Sequence, residues 1–579
     1  MLLFNKVPQA GIRLHADAVP QAKYAAGQLR YYLGLMTGGA FDVGDMAGDV
    51  PCILLMPPEP ELGSDGFRIA SDGAGVRLYG GKRGIIYAAY ELLERLGCRF
   101  FAVDCELVPV REYLAVPDMD LTQVPVLEYR EHNYADLTQH ARFAVKSRLN
   151  GQSHSIPESM GGHISYAWFV HTVDQMVPQD LYAQAHPEYY ALWEGKRQTQ
   201  RHTGQLCLTN PGTQAAAIRH VREALLNNPK ATMISLSQND WNGHNCQCPD
   251  CLASDEAKGS PAGTMLRFVN AVAEALEPEF PGVVFSTLAY NYTRPAPRLT
   301  RPRANVSVQL CSIECCFSHP FETCDDHSRH VKRPDGTTSS FISDLRAWGK
   351  VSSRNYIWDY TTSFAHYPSP HPNWRCLQPN MRAFISNGVK GVFEQANGAK
   401  GGGSDLNELR AYVLAKLLWD ADTDVDRHIR EFTDHYYGAA GSHIRRYIDI
   451  LCDQAEQHNH HVGFNDNPDS DLFSDEVLDA LMCELKKAKE AVAGDAVRMM
   501  RVDKAMLSPR YVRIRRDICL KGSVDIEAIN AFIADWRAHR LTRMEEWFSR
   551  ESTLRSFLDG KWRSRDYFKL WTDESPEIL

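Results

Sequence analysis

The chain has no apolar run long enough to span a bilayer; most such runs are broken by charge within about ten residues. Its first stretch, MLLFNKVPQAGIRLHADAVP, lacks a basic leader, a sustained apolar segment and a small-residue cleavage site. There is no basic excess either. A net charge of −9 leaves no electrostatic footprint for nucleic acid or an anionic membrane. No P-loop or dinucleotide fingerprint is present, since GGKRG, before a helical pattern at Ile85–Leu96, matches neither and reads as a tight strand-to-helix turn. These absences describe a cytoplasmic protein with no nucleic-acid partner, no membrane partner and no required cofactor.

What is present is an ordinary globular composition, 44% hydrophobic and 23% charged, over 579 residues. That length is too great for one core, so several domains are expected. Residues 1–125 alternate short strands (CILLM, the hairpin around SDGAG) with amphipathic helices at Ala18–Met36 and Ile85–Leu96, a small α/β domain. From 126 to 422 the pattern is strand, polar end, helix, repeated. Candidate strands are Glu128–Tyr134, Arg148–His154, Gln205–Asn210, Met233–Asp240, Val283–Asn291, Val306–Cys316, Asn355–Thr362 and Val389–Ala396. Eight strands with intervening helices predict a (β/α)8 TIM-type barrel. Residues 423–579 carry helical patterns at Val425–Tyr437, Ser442–Gln457, Glu476–Ala493 and Ile526–Phe548, a helical C-terminal region. Its Trp536, Trp547, Trp562 and Trp571 suit the interface of a homo-oligomer, although domain packing accounts for them equally well.

Functional groups of such a barrel stand at the C-terminal ends of its strands. Those ends offer Glu131, His132 and Asn133; His154, with His163 in the loop after it; Asn239, Asp240 and Trp241; Tyr290, Asn291 and Tyr292; Glu314; Trp358, Asp359 and Tyr360; and Glu394, Gln395 and Asn397. Carboxylates, amides and aromatics at one mouth are the chemistry of a carbohydrate site. Aromatic faces stack on sugar C–H surfaces, amides bind hydroxyls, and an acid/carboxylate pair cleaves the acetal. Asp240, Glu314, Asp359 and Glu394 are the acid–base candidates. Each of them alone could equally be a structural carboxylate.

The 15 cysteines are mostly scattered through apolar stretches as small core residues. The exception is CQCPDC. Cys246, Cys248 and Cys251 could supply three ligands of a structural zinc, with His244 or a distant cysteine as the fourth, against a metal-free loop of reduced thiols. Cys311, Cys315, Cys316 and Cys324 surround Glu314, where strand packing is the simpler account.

Several runs, in order, resemble a large bacterial family known as a domain of unknown function. They are HPEYYALWEGKR, GQLCLTNP, SQNDWNGHNCQCPDC, GSPAGTMLRFVNAVAEAL, STLAYNYTRPAP, CSIECCFSHP, IWDYTTSFAHYPSPHPN and NGVKGVFEQ, spread over residues 126–420. Part of that family is classed as glycoside hydrolase family 163, with endo-β-N-acetylglucosaminidase activity on N-glycans. DGFRI and GVRLYGGKRGIIYAAYELLERLG resemble the domain that precedes the barrel in family 20 hexosaminidases and family 67 α-glucuronidases. The resemblance implies a retaining, substrate-assisted hydrolase of β-linked N-acetylglucosamine in oligosaccharides, with Asp240, Glu314, Asp359 and Glu394 at patterned positions. One departure stands out: Asn239–Asp240 ends its strand where family 20 has Asp–Glu. An α-glucuronidase-like enzyme, with Arg130, Arg201 or Lys390 as the uronate clamp, and a non-catalytic glycan-binding protein are the alternatives.

Overall fold

The computed structural model describes residues 1–45, 51–240, 243–333, 335–468, 470–523 and 525–546. Near the N-terminus a six-stranded mixed sheet runs in the order Met119–Gln123, Phe67–Ser71, Gly75–Gly80, Cys52–Leu55, Gly11–Leu14, Val43–Asp45. Helices Pro20–Thr37 and Gly84–Arg95 pack on it and on each other. The GGKRG turn is a close-packing device. A Cβ at Gly81 would come within 1.7 Å of the Gly63 carbonyl oxygen, and one at Gly84 within 2.0 Å of that of Gly66.

The middle of the chain forms six parallel strands: β1 (Tyr129–His132), β2 (Met233–Ser235), β3 (Val284–Ala289), β4 (Val306–Cys311), β5 (Asn355–Tyr360) and β6 (Val389–Gln395), in the spatial order β1-β6-β5-β4-β3-β2. The sheet curls, and its two edges are linked through extended segments. Asn150 donates to the Arg130 carbonyl (3.1 Å), Ile164 to that of Asn150 (2.8 Å) and Ala167 to that of Met233 (2.8 Å). Eight regular strands are therefore not found among the described residues. Residues 148–154 supply one pairing residue before a 3-10 turn, Gln152–His154. Residues 205–210 lie outside the sheet, where Leu206 pairs antiparallel with Tyr190. Their apolar, β-prone composition is spent elsewhere: Gln205 is hydrogen-bonded to Asn239 and Cys207 sits among other thiols.

Both faces of this sheet are buried, so alternate side chains enter two different environments. Tyr129, Met233, Tyr356 and Phe393 point into the curl and cluster with Tyr166. Ile234, Phe285, Val308, Leu310, Ile357 and Val392 point out and join the large core against the helices. Tyr129 and Tyr356 stack across the inside at 5.6 Å. Gly391 between them leaves that room, because a Cβ there would meet Tyr129 Cβ and Tyr356 Cδ1 at 2.8 Å.

After residue 422 the described residues carry the helices Val425–Tyr436, Gly441–Gln457, Asp475–Ala491, Ala496–Lys521 and Ile526–Ala538. The longest of these, Ala496–Lys521, is invisible to sequence periodicity because Pro509 and six arginines interrupt its apolar stripe. The pattern expected to run helically to Phe548 stops at Ala538. The chain then doubles back, burying Leu541 and Met544, and Met544 accepts a hydrogen bond from the Tyr367 amide (2.8 Å). Trp536 is fully buried against Phe532, so its packing is internal. Trp547, Trp562 and Trp571 lie outside the described residues. Among the described residues no helix is long and apolar enough to cross a membrane.

The N-terminal sheet is locked to β1 by Asp65, which is buried and accepts from Arg83 Nε (2.6 Å), Asn150 Nδ2 (2.8 Å) and Arg130 Nη2. Burial would raise its pKa, but Arg130 and Arg83 together hold it below the ordinary carboxylate value. Asp65→Ala strands a fully buried Arg130 without its counter-charge and is expected to cost roughly 3–5 kcal/mol of stability. Urea unfolding reads this; a change near zero would show that the lock does not bear load.

Candidate active site

The inward row at the top of the strands builds the mouth. In register across β6, β5 and β4 stand Phe393, Trp358 and Cys311, with Glu131 of β1 paired to Phe393. Trp358, half-buried, packs on Phe393 (4.8 Å) and Phe169 (5.7 Å) and donates its Nε1 hydrogen to Gln395 Oε1 (2.7 Å). Gln395 passes the connection on, donating from Nε2 to Glu546 Oε1 (3.0 Å). Glu546 arrives from the far end of the described chain, its amide bonded to the Phe364 carbonyl (2.9 Å). Burial, and after it the nearby Asp240 carboxylate, push Glu546 up to about 7. Asp240 is exposed beyond the end of β2 and accepts a hydrogen bond from Tyr290 Oη (2.8 Å). Burial and then Asp240 raise the Tyr290 phenol above its ordinary value, which keeps it a donor.

Glu314 is a quarter exposed and is held from behind. Arg294, fully buried, gives Nη1 to Glu314 (3.0 Å), Nε to the equally buried Asp344 (2.9 Å) and Nη2 to the Ser339 carbonyl (2.8 Å). Glu314 and Asp240 act on a common pair of groups. After burial, both raise the pKa of the Cys311 thiol, and, behind burial, Cys311 and Tyr290, that of the Tyr360 phenol. A fourth inward carboxyl, Glu131, is completely buried; it accepts from the Ser153 amide (2.9 Å), the Ser153 hydroxyl and the Tyr129 phenol, and burial pushes it up to about 7.

Asp359 and Glu394 stand elsewhere. They are register partners on β5 and β6, and His132 of β1 pairs with Glu394. They lie on the same side as Ile357 and Val392, facing the helices, and are 5% and 2% exposed. Asp359 accepts from the Ser312 hydroxyl, while Glu394 Oε2 has no hydrogen-bond partner. Burial raises Asp359 to about 6, and burial and then Asp359 raise Glu394 well above the usual range. The two form a neighbouring pair of raised carboxyls behind the strand ends. His132 is buried in the same layer, its charged form disfavoured by burial and then by His154.

The other expected residues divide between scaffold and site. Asn239 is scaffold: its amide donates to Gln205 Oε1 (3.0 Å), and its Nδ2 to the Gly204 carbonyl (2.8 Å) and Asp174 (3.2 Å). Asn133 ties strand ends together by accepting from the Ala396 amide (2.6 Å). His163 bonds to the Ile156 carbonyl on a loop that packs against the N-terminal helix through Gln21. The Tyr292 phenol is raised by burial and then by the neighbouring Asp255 and Cys251. Tyr360 is buried among Phe317, Phe364 and Phe464 at the rim. Trp241 lies outside the described residues. Sequence reasoning missed Glu546, Arg294 and His171. His171 takes a positive φ of 57°, approaches Tyr290 (6.3 Å between rings) and bonds through Nδ1 to the Gln238 carbonyl (2.9 Å); such strain gathers at functional sites.

Cys246, Cys248 and Cys251 converge as expected, and Cys207 is the distant cysteine that joins them. His244 lies instead against Trp193 (5.2 Å). The second group does not converge on Glu314: Cys311 faces the mouth, whereas Cys316 lies between His319 and His461, 3.4 Å from the Nδ1 of each.

A curled parallel sheet with its polar groups at the C-terminal strand ends places the protein among α/β proteins of the barrel-like kind. The chain belongs to the DUF4838 family, a domain of unknown function, whose model matches residues 100–449. No curated protein matches the sequence. Among solved structures, one described as a novel family GH115 4-O-methyl-α-glucuronidase, BtGH115A, with specificity for decorated arabinogalactans, is similar at a TM-score of 0.57 and 13% identity, covering 97% of this chain and 78% of that one. A GH20 β-N-acetylhexosaminidase from Streptomyces coelicolor A3(2) gives 0.41 and 13%, over 76% and 92%. A GH138 enzyme targeting pectin rhamnogalacturonan II gives 0.43 and 10%, over 95% and 74%. At such identities the GH115 likeness shows the fold alone, and scores below 0.5 add nothing to it.

The Asp359–Glu394 pair has a thermodynamic signature. Both carboxyls hold protons in the folded state at pH values where the unfolded chain, above about pH 4, has released them, so stability falls as pH rises from there through about 6 for Asp359 and further for Glu394. Glu394→Gln removes one of those protons and is expected to flatten that fall. Urea denaturation across this pH range reads it; identical slopes in wild type and variant would contradict the raised pKa of Glu394.

Proposed function

We propose that this chain is a glycoside hydrolase whose reaction centre is the mouth formed by Asp240, Glu546 and Glu314 beside Trp358. The observation that carries the proposal is the contrast between two neighbouring carboxyls. Glu546 is half-buried, and that burial first, then Asp240, pushes its pKa up to about 7, whereas Asp240 stands in solvent with Tyr290 donating to it. Acetal cleavage uses such a division: one carboxylic acid protonates the leaving oxygen, and one carboxylate stabilises or attacks the anomeric carbon, or orients a substrate group that does so. Trp358 supplies a flat apolar face for a sugar ring. Arg294 fixes Glu314 as a second carboxylate along the rim.

The substrate class follows from the family-like motifs rather than from the site: β-linked N-acetylglucosamine in oligosaccharides, cleaved with retention, with the 2-acetamido oxygen as the attacking group. A glucuronidase reading has fewer residues behind it here, although the GH115 neighbour is described as one. Arg130 is buried against Asp65, Arg201 pairs with Asp180 in solvent, and Lys390 lies at the opposite end of β6. None of the three reaches the mouth to clamp a uronate.

Turnover of an aryl β-N-acetylglucosaminide is expected to fall as pH rises through about 7, because Glu546 must be protonated to act as the acid. Glu546→Gln should remove that limb and lower kcat by about 10²–10⁴-fold, with a smaller loss for substrates whose leaving group needs no proton. Asp240→Asn and Glu314→Gln should lower kcat by orders of magnitude with the fold intact. Full activity in Asp240→Asn and Glu546→Gln, measured on a substrate the wild type cleaves, would overturn the assignment. A glucuronide in the same panel separates the second reading, and binding by calorimetry without any product would mark a non-catalytic glycan-binding protein.

A further inference from the structure

We infer that Cys207, Cys246, Cys248 and Cys251 form a tetrathiolate zinc site that anchors the chain on both sides of Asp240. Their sulfurs all lie within 4.8 Å of one another, and Cys207 Sγ is 3.7 Å from Cys248 Sγ and 3.9 Å from Cys251 Sγ. Four sulfurs at about 2.3 Å from a tetrahedral zinc stand about 3.8 Å apart. A disulfide is excluded at these separations, which are far beyond the roughly 2.05 Å of a sulfur–sulfur bond.

Packing alone gives no reason for four thiols to meet. Among the described residues they form a hydrophobic cluster of their own, separate from the large core, with Ala191 and the half-buried Leu192. All four are buried. The surroundings suit thiolates: the Leu192 amide donates to Cys246 Sγ (3.3 Å) and Thr209 Oγ1 lies 3.1 Å from Cys251 Sγ. Cys251 also lies in the first turn of the Pro249–Lys258 helix, whose N-terminal amides favour negative charge. Thiols that would otherwise crowd one another become ligands that hold three segments together.

Those segments frame the mouth. Cys207 belongs to the stretch whose Gln205 grips the Asn239 backbone from both sides, donating to its carbonyl (3.1 Å) and accepting from its amide (3.0 Å). Cys246 and Cys248 follow Asp240 in the loop, and Cys251 opens the next helix. The metal would thus fix both flanks of Asp240 without touching substrate, making the four cysteines positioning residues.

Zinc per chain, measured on protein purified from zinc-containing medium, is expected to include one equivalent that Cys207→Ser lacks and Cys316→Ser keeps. Cobalt(II) added to the demetallated wild type should give the visible ligand-field and near-ultraviolet charge-transfer bands of a tetrathiolate. That spectrum does not depend on whether a serine variant folds. A wild type without zinc and without the tetrathiolate spectrum would overturn the site, as would zinc that persists in Cys207→Ser and is lost in Cys316→Ser.

Discussion

Consecutive side chains of a strand leave on opposite faces, and in this protein both faces of the central sheet are buried. Every polar residue near the strand tops is therefore committed either to the inside of the curl or to the layer beneath the helices, and a shift of one position exchanges the two fates. Glu131, Trp358, Gln395 and Tyr290 go inward with Cys311. His132, Asp359 and Glu394 go outward. Inward carboxyls meet aromatic rings, hydroxyl donors and the open mouth. Outward ones stand in register with each other, and burial raises both, Glu394 further through the neighbouring Asp359.

The sheet does not complete the mouth by itself. Glu546 is delivered by the turn-back after Ala538, which the burial of Leu541 and Met544 and the bonds from Tyr367 and to Phe364 hold down. On the other side, Arg294 uses a fully buried guanidinium to connect Glu314 with Asp344, so the rim carboxylate is aimed by groups that substrate never meets. Both arrangements couple the candidate chemistry to distant packing: disturbing the helical C-terminal region displaces Glu546 from Gln395 and Asp240.

Much of the fold could be read from the sequence. Six of the eight expected strands are regular strands. The other two failed for distinct reasons. The stretch around Asn150 pairs through one residue before turning, and Gln205–Asn210 is β-prone but held by Asn239 and the thiols, while Ser165–Ala167 takes the place beside Met233. The site was less legible. Continuous apolar runs carry no mark of which face is which, so Asp359 and Glu394 looked equivalent to Asp240 and Glu314. Nothing in RLTRMEE distinguishes Glu546 from an exposed helical glutamate, since its position depends on a turn that periodicity extends straight through. The cysteines around CQCPDC gave a clear local signal, and only the fold could bring Cys207 to them.

The claim on which the account rests is that the inward carboxyls, and not the buried pair behind β5 and β6, face the substrate. A crystal structure of the chain with an N-acetylglucosamine-derived thiazoline tests it most directly. A sugar ring is expected against Trp358, with its anomeric carbon and fused acetamido group within hydrogen-bonding reach of Asp240, Glu546 or Glu314. A ring seated instead against Asp359 and Glu394, or a ligand bound away from this mouth, would contradict it.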